Sequence, residues 1–377
     1  MQGVIFICFA LLFSVMHLCL LELKKQKGEN HMVKTTRRVR LALLGVIISG
    51  MATIFVGTAI AAENQDNTFI FYWENDAFSD SDAHYTNGLK LLWVSGPLNK
   101  YAEDKRLPDW SSKPIESLPL VNSPDTTKHV AFSIGQKIFT PQNLDDPNLI
   151  VDDRPYAGWT YVGTALHSKS KDVLDSFGLD IGLIGPNSYA RDVQEEIHDL
   201  LDSKKPQGWD HQLKNEVGLV LVYERKWRTW QFGFGDSNVF DFIPHLGAAV
   251  GNVYTYANAG GEIRLGINLP DDFGTALIRP AGDASIPATD AKNNKAGVYL
   301  FAGVDGRSVL RNIFLDGNTF TDSHDVDKED FVADIMAGVS VHYNRFKITY
   351  SHVYRTKEFK TQQDEQIFGS VSIAYVF

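Results

Sequence analysis

From Phe69 to the C-terminus the chain repeats one pattern: short runs in which large apolar side chains alternate with small or polar ones. A period of two places the two classes on opposite faces of a β-strand. The stretch Phe69 to Val94 sets the theme. It reads FIFYWENDAF, a short polar gap, then HYTNGLKLLWV, so two strand-like segments flank Glu74, Asn75, Asp76 and Thr86. A lone hairpin cannot bury its aromatic residues, so it needs more strands.

About twelve such runs occur. They are Phe69 to Asn75, Tyr85 to Ser95, Val130 to Phe139, Trp159 to His167, Phe177 to Ile184 and Glu216 to Trp227. Trp230 to Gly251 follows, long and kinked near Asp236, then Gly260 to Leu269, Val298 to Arg307, Val332 to Tyr343, Phe346 to Tyr354 and Ile367 to Phe377. In the second run Leu89, Leu91 and Trp93 oppose Thr86, Gly88 and Lys90. In the fifth, Phe177, Leu179, Ile181 and Leu183 oppose Gly178, Asp180 and Gly182. In the eleventh, Phe346, Ile348 and Tyr350 oppose Lys347, Thr349 and Ser351. One greasy face and one small or polar face is the pattern of an all-β transmembrane antiparallel barrel, lipid outside and lumen inside. A soluble β-sandwich is the alternative. The chain's end favours the barrel: Val371, Ile373, Tyr375 and Phe377 share one face, and the terminal Phe377 resembles an outer-membrane assembly signal.

The N-terminus agrees. Lys34, Arg37, Arg38 and Arg40 precede the apolar run Leu41 to Ile60, and Ala59-Ile60-Ala61 offers a small-residue cleavage site. That is a secretory signal peptide, with a membrane anchor as the alternative. A second apolar run, Val4 to Leu23, lies upstream, so Met32 is the expected true start. Residues 1–62 are therefore extension plus signal peptide, and residues 63–377 the barrel with a site at its extracellular rim. Both cysteines, Cys8 and Cys19, fall in the extension, which leaves the mature chain without disulfides or thiolate zinc sites. The whole chain carries a net −10, and residues 1–62 hold seven basic and two acidic side chains, so the mature part is near −15. That balance excludes nucleic acid as a partner. No apolar run after the leader is long enough for a spanning helix.

Starting from the periplasm, odd strands run outward. The loops Thr140 to Tyr156 and Gly185 to Asn215 then lie at the extracellular rim, and the latter carries a helical stripe of Val193, Ile197, Leu200 and Leu201. Gln194 and His198 are four apart on a neighbouring face. Gly96 to Lys128 and Pro270 to Gly297 are too long for periplasmic turns, and the sequence assigns them no role.

Parity brings Asn75, Asp76, Thr86, Gln194 and His198 to one rim. A His that activates water, near a carboxylate or cation, is equipment for ester hydrolysis. Asp76, Asn75 and backbone carbonyls are oxygen ligands suited to calcium, which could stabilise an oxyanion. Each signal has a plainer reading. Asn-Asp at a strand end is a turn device, a lone helical His is structural, and Thr86 is a strand residue. Arg154-Pro155-Tyr156-Ala157-Gly158-Trp159 reads as a membrane-interface anchor with Arg154 paired to an acid. There is no GxSxG elbow.

Taken together, Glu74-Asn75-Asp76, Tyr85-Thr86-Asn87-Gly88, Asp153 to Gly158, Asp180 to Pro186 and Gln194-Glu195-Glu196-Ile197-His198 resemble the outer-membrane lipid A 3′-O-deacylase family, in the family's order, over roughly Phe69 to Phe377. The resemblance implies a twelve-stranded barrel in the outer membrane. It implies calcium-dependent removal of the 3′-linked acyloxyacyl chain from lipid A of lipopolysaccharide in the outer leaflet. It also implies His198 as general base, Asn75, Asp76 and Thr86 lining the site, Asp76 and Asn75 at the cation, and Gln194 positioning groups. Arg154, Tyr156 and Lys204 are the candidate substrate contacts. One departure stands out. A lipid A site should offer cations to phosphate, yet the rim loop holds Asp145, Asp146, Asp152 and Asp153, offset only by Arg154, Arg191, Lys204 and Lys205, with Pro206 where a polar contact would serve better. A phospholipase and a non-catalytic pore are the competing readings; no protein partner is indicated.

Overall fold

The computed structural model describes residues 66–76, 84–118, 123, 125–201, 203–235, 237–279 and 296–377. The leader, Met32 and both cysteines lie outside them. The described residues form a closed antiparallel barrel of twelve strands. They are β1 (Thr68–Asn75), β2 (His84–Val94), β3 (Thr127–Thr140), β4 (Ala157–Lys169), β5 (Val173–Ile184), β6 (Glu216–Trp227, continued as Thr229–Phe234), β7 (Ser237–Gly251), β8 (Tyr254–Ile267), β9 (Gly297–Asn312), β10 (Phe331–Tyr343), β11 (Phe346–Arg355) and β12 (Gln366–Val376). Each pairs with its chain neighbours, and β1 closes on β12 from Thr68↔Val376 to Asn75↔Gly369. Phe377 seals the seam: its N–H donates to Asn67 O (2.8 Å), Asn67 N–H donates back to Phe377 O (3.1 Å), and its ring stacks on Phe69.

One boundary needs correction. The run read as a single kinked strand, Trp230 to Gly251, is a hairpin. Thr229–Phe234 continues β6 in the register that pairs Val220 with Gly251 and Thr229 with Phe242. The chain reverses at Gly235, whose φ of +60° favours glycine.

The alternation sorts lipid from lumen as expected. Val162, Val217, Leu265, Leu300 and Ile335 are exposed on the outer face. Aromatic pairs mark the periplasmic end: Trp230 on Phe242, Phe232 on Phe240, Phe346 on Tyr375. Such girdles sit at the membrane–water boundary. The lumen instead carries ion pairs in tiers. Asp241 accepts from Arg228 and Arg264, Asp305 accepts from His245 and Asn258 and pairs with Arg279, and Asp334 accepts from Arg355 and pairs with Arg307.

The structure places the described parts of both long segments; residues 119–122, 124 and 280–295 lie outside them. Residues 96–118 fold over the outside of the barrel. Leu98, Tyr101 and Ile115 bury Val130 and Leu166, and Arg106 lies 3.8 Å over the Trp93 ring. Within this collar sits the short helix α1 (Ser112–Ser117). Residues 271–279 enter the lumen. Asp272 bonds Arg264 and Lys347, Thr275 N–H donates to Glu262, Ile278 N–H donates to Glu74 (2.7 Å), and Arg279 reaches Asp305 (2.8 Å). Ala276 and Ile278 pack among the inward residues Ile70, Tyr72, Leu92 and Val94. A cavity of about 40 Å³, lined in part by Tyr85, Lys137, Arg279 and Arg307, remains toward the outer end.

A lumen filled in this way does not conduct. In planar bilayers the purified barrel should give no open-channel steps. Replacing residues 271–279 with a Gly-Ser segment of equal length should produce them, with heat-modifiable gel mobility confirming the fold. A steady conductance in the unaltered protein would contradict the plugged lumen.

Candidate functional site at the outer rim

The site forms on the lipid side of the wall, not in the lumen. At the end of the first hairpin β2 pairs Tyr85 with Phe139 and Asn87 with Ile138, so Thr86 is an extra, bulged residue. Tyr85 points inward, its hydroxyl donating to Glu74 (2.8 Å). The bulge resets the alternation. Thr86, expected on the face of Gly88 and Lys90, instead meets Thr140, Oγ1 to Oγ1 at 2.7 Å. Asn75 Nδ2 donates to Thr86 O (3.0 Å) and Asn87 Oδ1 (3.2 Å), which also accepts from Trp73 Nε1. Asp76 follows directly and is buried.

The second half comes from the loop after β5. Helix α2 (Ala190–Leu201) sits against the outer face of β3 and β4. Gly158 makes this possible: a Cβ there would lie 2.1 Å from the Ala190 Cβ and 2.3 Å from Ser188 Oγ. Ser188 O accepts from Gln136 Nε2 (2.8 Å) and Thr160 Oγ1 (2.7 Å), which ties the helix entrance to both strands. Ile138, on the face opposite Phe139, is fully buried beneath Tyr156, Ala190 and Trp209.

The helix buries a polar stripe. Gln194 and His198 are 2% and 6% exposed, whereas Val193 and Ile197 of the expected apolar stripe are half-buried; the side chains of Leu200 and Leu201 lie outside those described. Residues four apart share a helix face, so these two groups look the same way. His198 Nδ1 lies 2.5 Å from Lys204 O. A carbonyl can only accept, so Nδ1 carries a proton, and in the neutral form of the ring Nε2 is the nitrogen with the lone pair. Gln194 Oε1 accepts from Trp209 Nε1 at 2.9 Å.

The hairpin residues and the helix residues therefore border one strip of β3, Thr140 on one side and Ile138 on the other. The three candidate substrate contacts come out differently. Arg154 is fully buried on the luminal side, its Nη1 on Glu358 (3.0 Å) and its guanidinium over Phe139, as the ion-pair alternative had it. A side chain so enclosed cannot meet a lipid phosphate, and that expectation is corrected. Tyr156 is buried and packs on Trp209 at 5.0 Å. Lys204 is exposed beside Asp145 (2.8 Å) and serves the site through its carbonyl. Sequence reasoning missed Thr140, Gly158 and Trp209, which join the site only through tertiary contact.

Among the described residues, no three His, Cys, Asp or Glu side chains gather closely enough to hold a metal. A cation here would rely on the Asp76 carboxylate, the Asn75 amide oxygen and backbone carbonyls. The amide nitrogen of Asn75 donates to Thr86 O and Asn87 Oδ1, so the oxygen is the end of that side chain that would face a cation. Such hard oxygens suit calcium.

Comparison with known proteins agrees with this architecture. The family model described as outer membrane protein LpxR matches residues 46–377. Among solved structures, LpxR from Salmonella typhimurium is 21% identical with a TM-score of 0.66, covering 82% of this chain and all of that one. The β domain of the Bordetella autotransporter BrkA is 9% identical with a TM-score of 0.38, covering 83% of this chain and 100% of that one. The NalP translocator domain from Neisseria meningitidis is 10% identical with a TM-score of 0.34, covering 90% and 99%. A search of curated proteins finds no match.

Two stability predictions follow from Arg154. Arg154→Ala should lower stability by up to about 3 kcal/mol, because it removes the nearer partner of the buried Glu358 carboxylate and leaves Arg355 at 3.8 Å beside it; urea unfolding checks this. Burial opposes ionisation of Glu358, but Arg154, then Arg355 and Arg307, outweigh it and hold the carboxyl at about 2. A depressed carboxyl stabilises the fold above its unfolded pKa and loses that contribution as pH falls through the folded one. The stability gap between wild type and Glu358→Gln should therefore be full above about pH 4.3 and shrink toward pH 2.

Proposed function

Because the chain belongs to the LpxR outer membrane protein family, we propose that it is an outer-membrane lipid A esterase that releases the 3′-linked acyloxyacyl chain with the help of calcium. The observation that carries this reading is the polar face of α2, Gln194 and His198, buried against the lipid-facing wall at the rim. A site there is reached sideways from the outer leaflet, where the acyl ester of a lipid lies. The plugged lumen argues against the pore reading.

The chemistry assigned to the residues is general-base hydrolysis. With Nδ1–H held by Lys204 O, His198 Nε2 takes a proton from water as the water oxygen bonds to the ester carbonyl carbon. The π pair moves onto the carbonyl oxygen. Collapse breaks the bond to the sugar oxygen, which recovers the proton from the imidazolium. Asn75, Asp76 and Thr86 line the wall beside the ester, and Asp76 with the Asn75 oxygen would hold the calcium. A dication there supplies positive charge to the oxygen on which negative charge develops. The rim cations Arg191 and Lys204 each sit on an acid, Glu195 and Asp210 for the first, Asp145 for the second. Phosphate recognition would have to draw them off these partners.

Detergent-purified protein incubated with lipid A should remove one acyloxyacyl mass from the 3′ position when calcium is present, and none with a calcium chelator, as read by mass spectrometry. Release of fatty acid from phospholipid instead would move the assignment to a phospholipase. His198→Ala should lower turnover by about 10²–10⁴-fold with the heat-modifiable fold intact; a variant that kept its rate would remove the base assignment.

A further inference from the structure

We propose that Trp209 is a positioning residue, one that locks the Gln194 amide so that its NH2 group is the hydrogen-bond donor offered to the ester oxygen. The inference rests on the esterase reading above and adds a part to it.

An amide side chain of a glutamine has two ends of nearly the same shape, and it can flip between them. Which end faces a substrate decides whether the group donates or accepts. Here the choice is made by the partner. An indole N–H can only donate, so the Gln194 atom 2.9 Å from Trp209 Nε1 must be the oxygen. The nitrogen is then forced to the other side. Gln194 Nε2 is buried and has no hydrogen-bond partner among the described residues. Leaving a buried donor unsatisfied is unfavourable, and an arriving acceptor would satisfy it.

The neighbours fit that role. Gln194 is one turn before His198 on the same buried face. Side chains so spaced stand about 5–6 Å apart at Cβ. That separation accommodates a water on His198 Nε2, the carbonyl carbon it attacks, and the carbonyl oxygen beyond it. The oxygen gains negative charge in the step, and a preorganised N–H donor aimed at it strengthens as the charge grows. Trp209 itself is rigid. It is 1% exposed, packs on Tyr156 and Ile138, and follows Gly208, where a Cβ would lie 2.5 Å from the Tyr156 ring. The alternative is that Trp209 only fills space beneath the helix. The two roles separate because one needs the indole nitrogen and the other only the ring.

Trp209→Phe keeps an aromatic ring on Tyr156 and removes the donor. Its kcat for lipid A deacylation should fall by about 10- to 100-fold while KM stays at the wild-type value. Gln194→Glu, which still accepts from Trp209 but offers no N–H, should lose at least as much. The double variant Trp209→Phe/Gln194→Ala should be no slower than Gln194→Ala alone, because the indole acts through the amide. Independently of turnover, the Trp209 indole 15N–1H resonance, assigned by its loss in Trp209→Phe, should be protected from exchange and should shift in Gln194→Ala. Wild-type kcat in Trp209→Phe, or losses that multiply in the double variant, would overturn the positioning role while leaving the esterase reading in place. If Trp209→Phe loses heat-modifiable mobility, the Gln194→Glu rate and the indole resonance decide. No turnover of the wild type on lipid A or phospholipid, with the indole bond intact, would overturn the reaction itself and Gln194's part in it.

Discussion

Inside a bilayer no water is available to hydrogen-bond the backbone, so every N–H and C=O must find a partner within the protein. Strands meet that demand only by closing on themselves. In this chain the closing seam is β1 on β12, with Phe377 bonded both ways to Asn67 at its end. Closure makes the two faces of each strand unlike: one meets lipid and the other the lumen. Everything else in the structure is an answer to what those two faces require.

The luminal face is answered with charge and with chain. Luminal carboxylates at Asp241, Asp305 and Asp334 are matched by arginines that bond them directly. Ion pairs buried in this way contribute modestly as pairs but are costly to break singly. They therefore hold the barrel to one arrangement and admit an inserted segment only where it completes the pairing. Residues 271–279 do so through Asp272 and Arg279, and the backbone N–H of Ile278 satisfies Glu74. Arg154 belongs to this interior system, which is why a residue with a phosphate-binding look has no outward role.

The outer face is answered with lipid except where residues 96–118 cover it and at the rim over β3 and β4. There a bulge at Thr86, a glycine at 158 and the turn before α2 let a helix cover the wall. The helix turns Gln194 and His198 toward the buried side, with Val193 packed beside them. Burying a glutamine and a histidine is unfavourable unless they are bonded; His198 bonds a carbonyl through Nδ1 and Gln194 an indole through Oε1, while Gln194 Nε2 has no partner among the described residues. The same bonds fix the histidine's tautomer and the amide's orientation. Stability and chemistry thus draw on one set of contacts.

The alternation of apolar and polar residues, with a period of two, limited the fold to a membrane barrel or a soluble sandwich of about twelve strands, because both present one apolar and one small or polar face, and chain parity then told which end of each strand lies at the rim of a barrel. It also made Asn75, Asp76, Gln194 and His198 legible as a group, since chain parity alone carries them to the same side of the membrane. The positions of Thr86, Arg154, Trp209 and the segment 271–279 were decided only by tertiary structure. A bulge shifts the face of every residue after it, and Thr86 lies at the shift. Arg154 is luminal because Glu358, 204 residues away, pairs with it. Trp209 reaches Gln194 through one hydrogen bond to a helix it does not belong to. The luminal segment has no periodic pattern, because its partners are presented by strands from both ends of the chain. Local sequence records which face a residue prefers, and these four were placed by what came to stand opposite them.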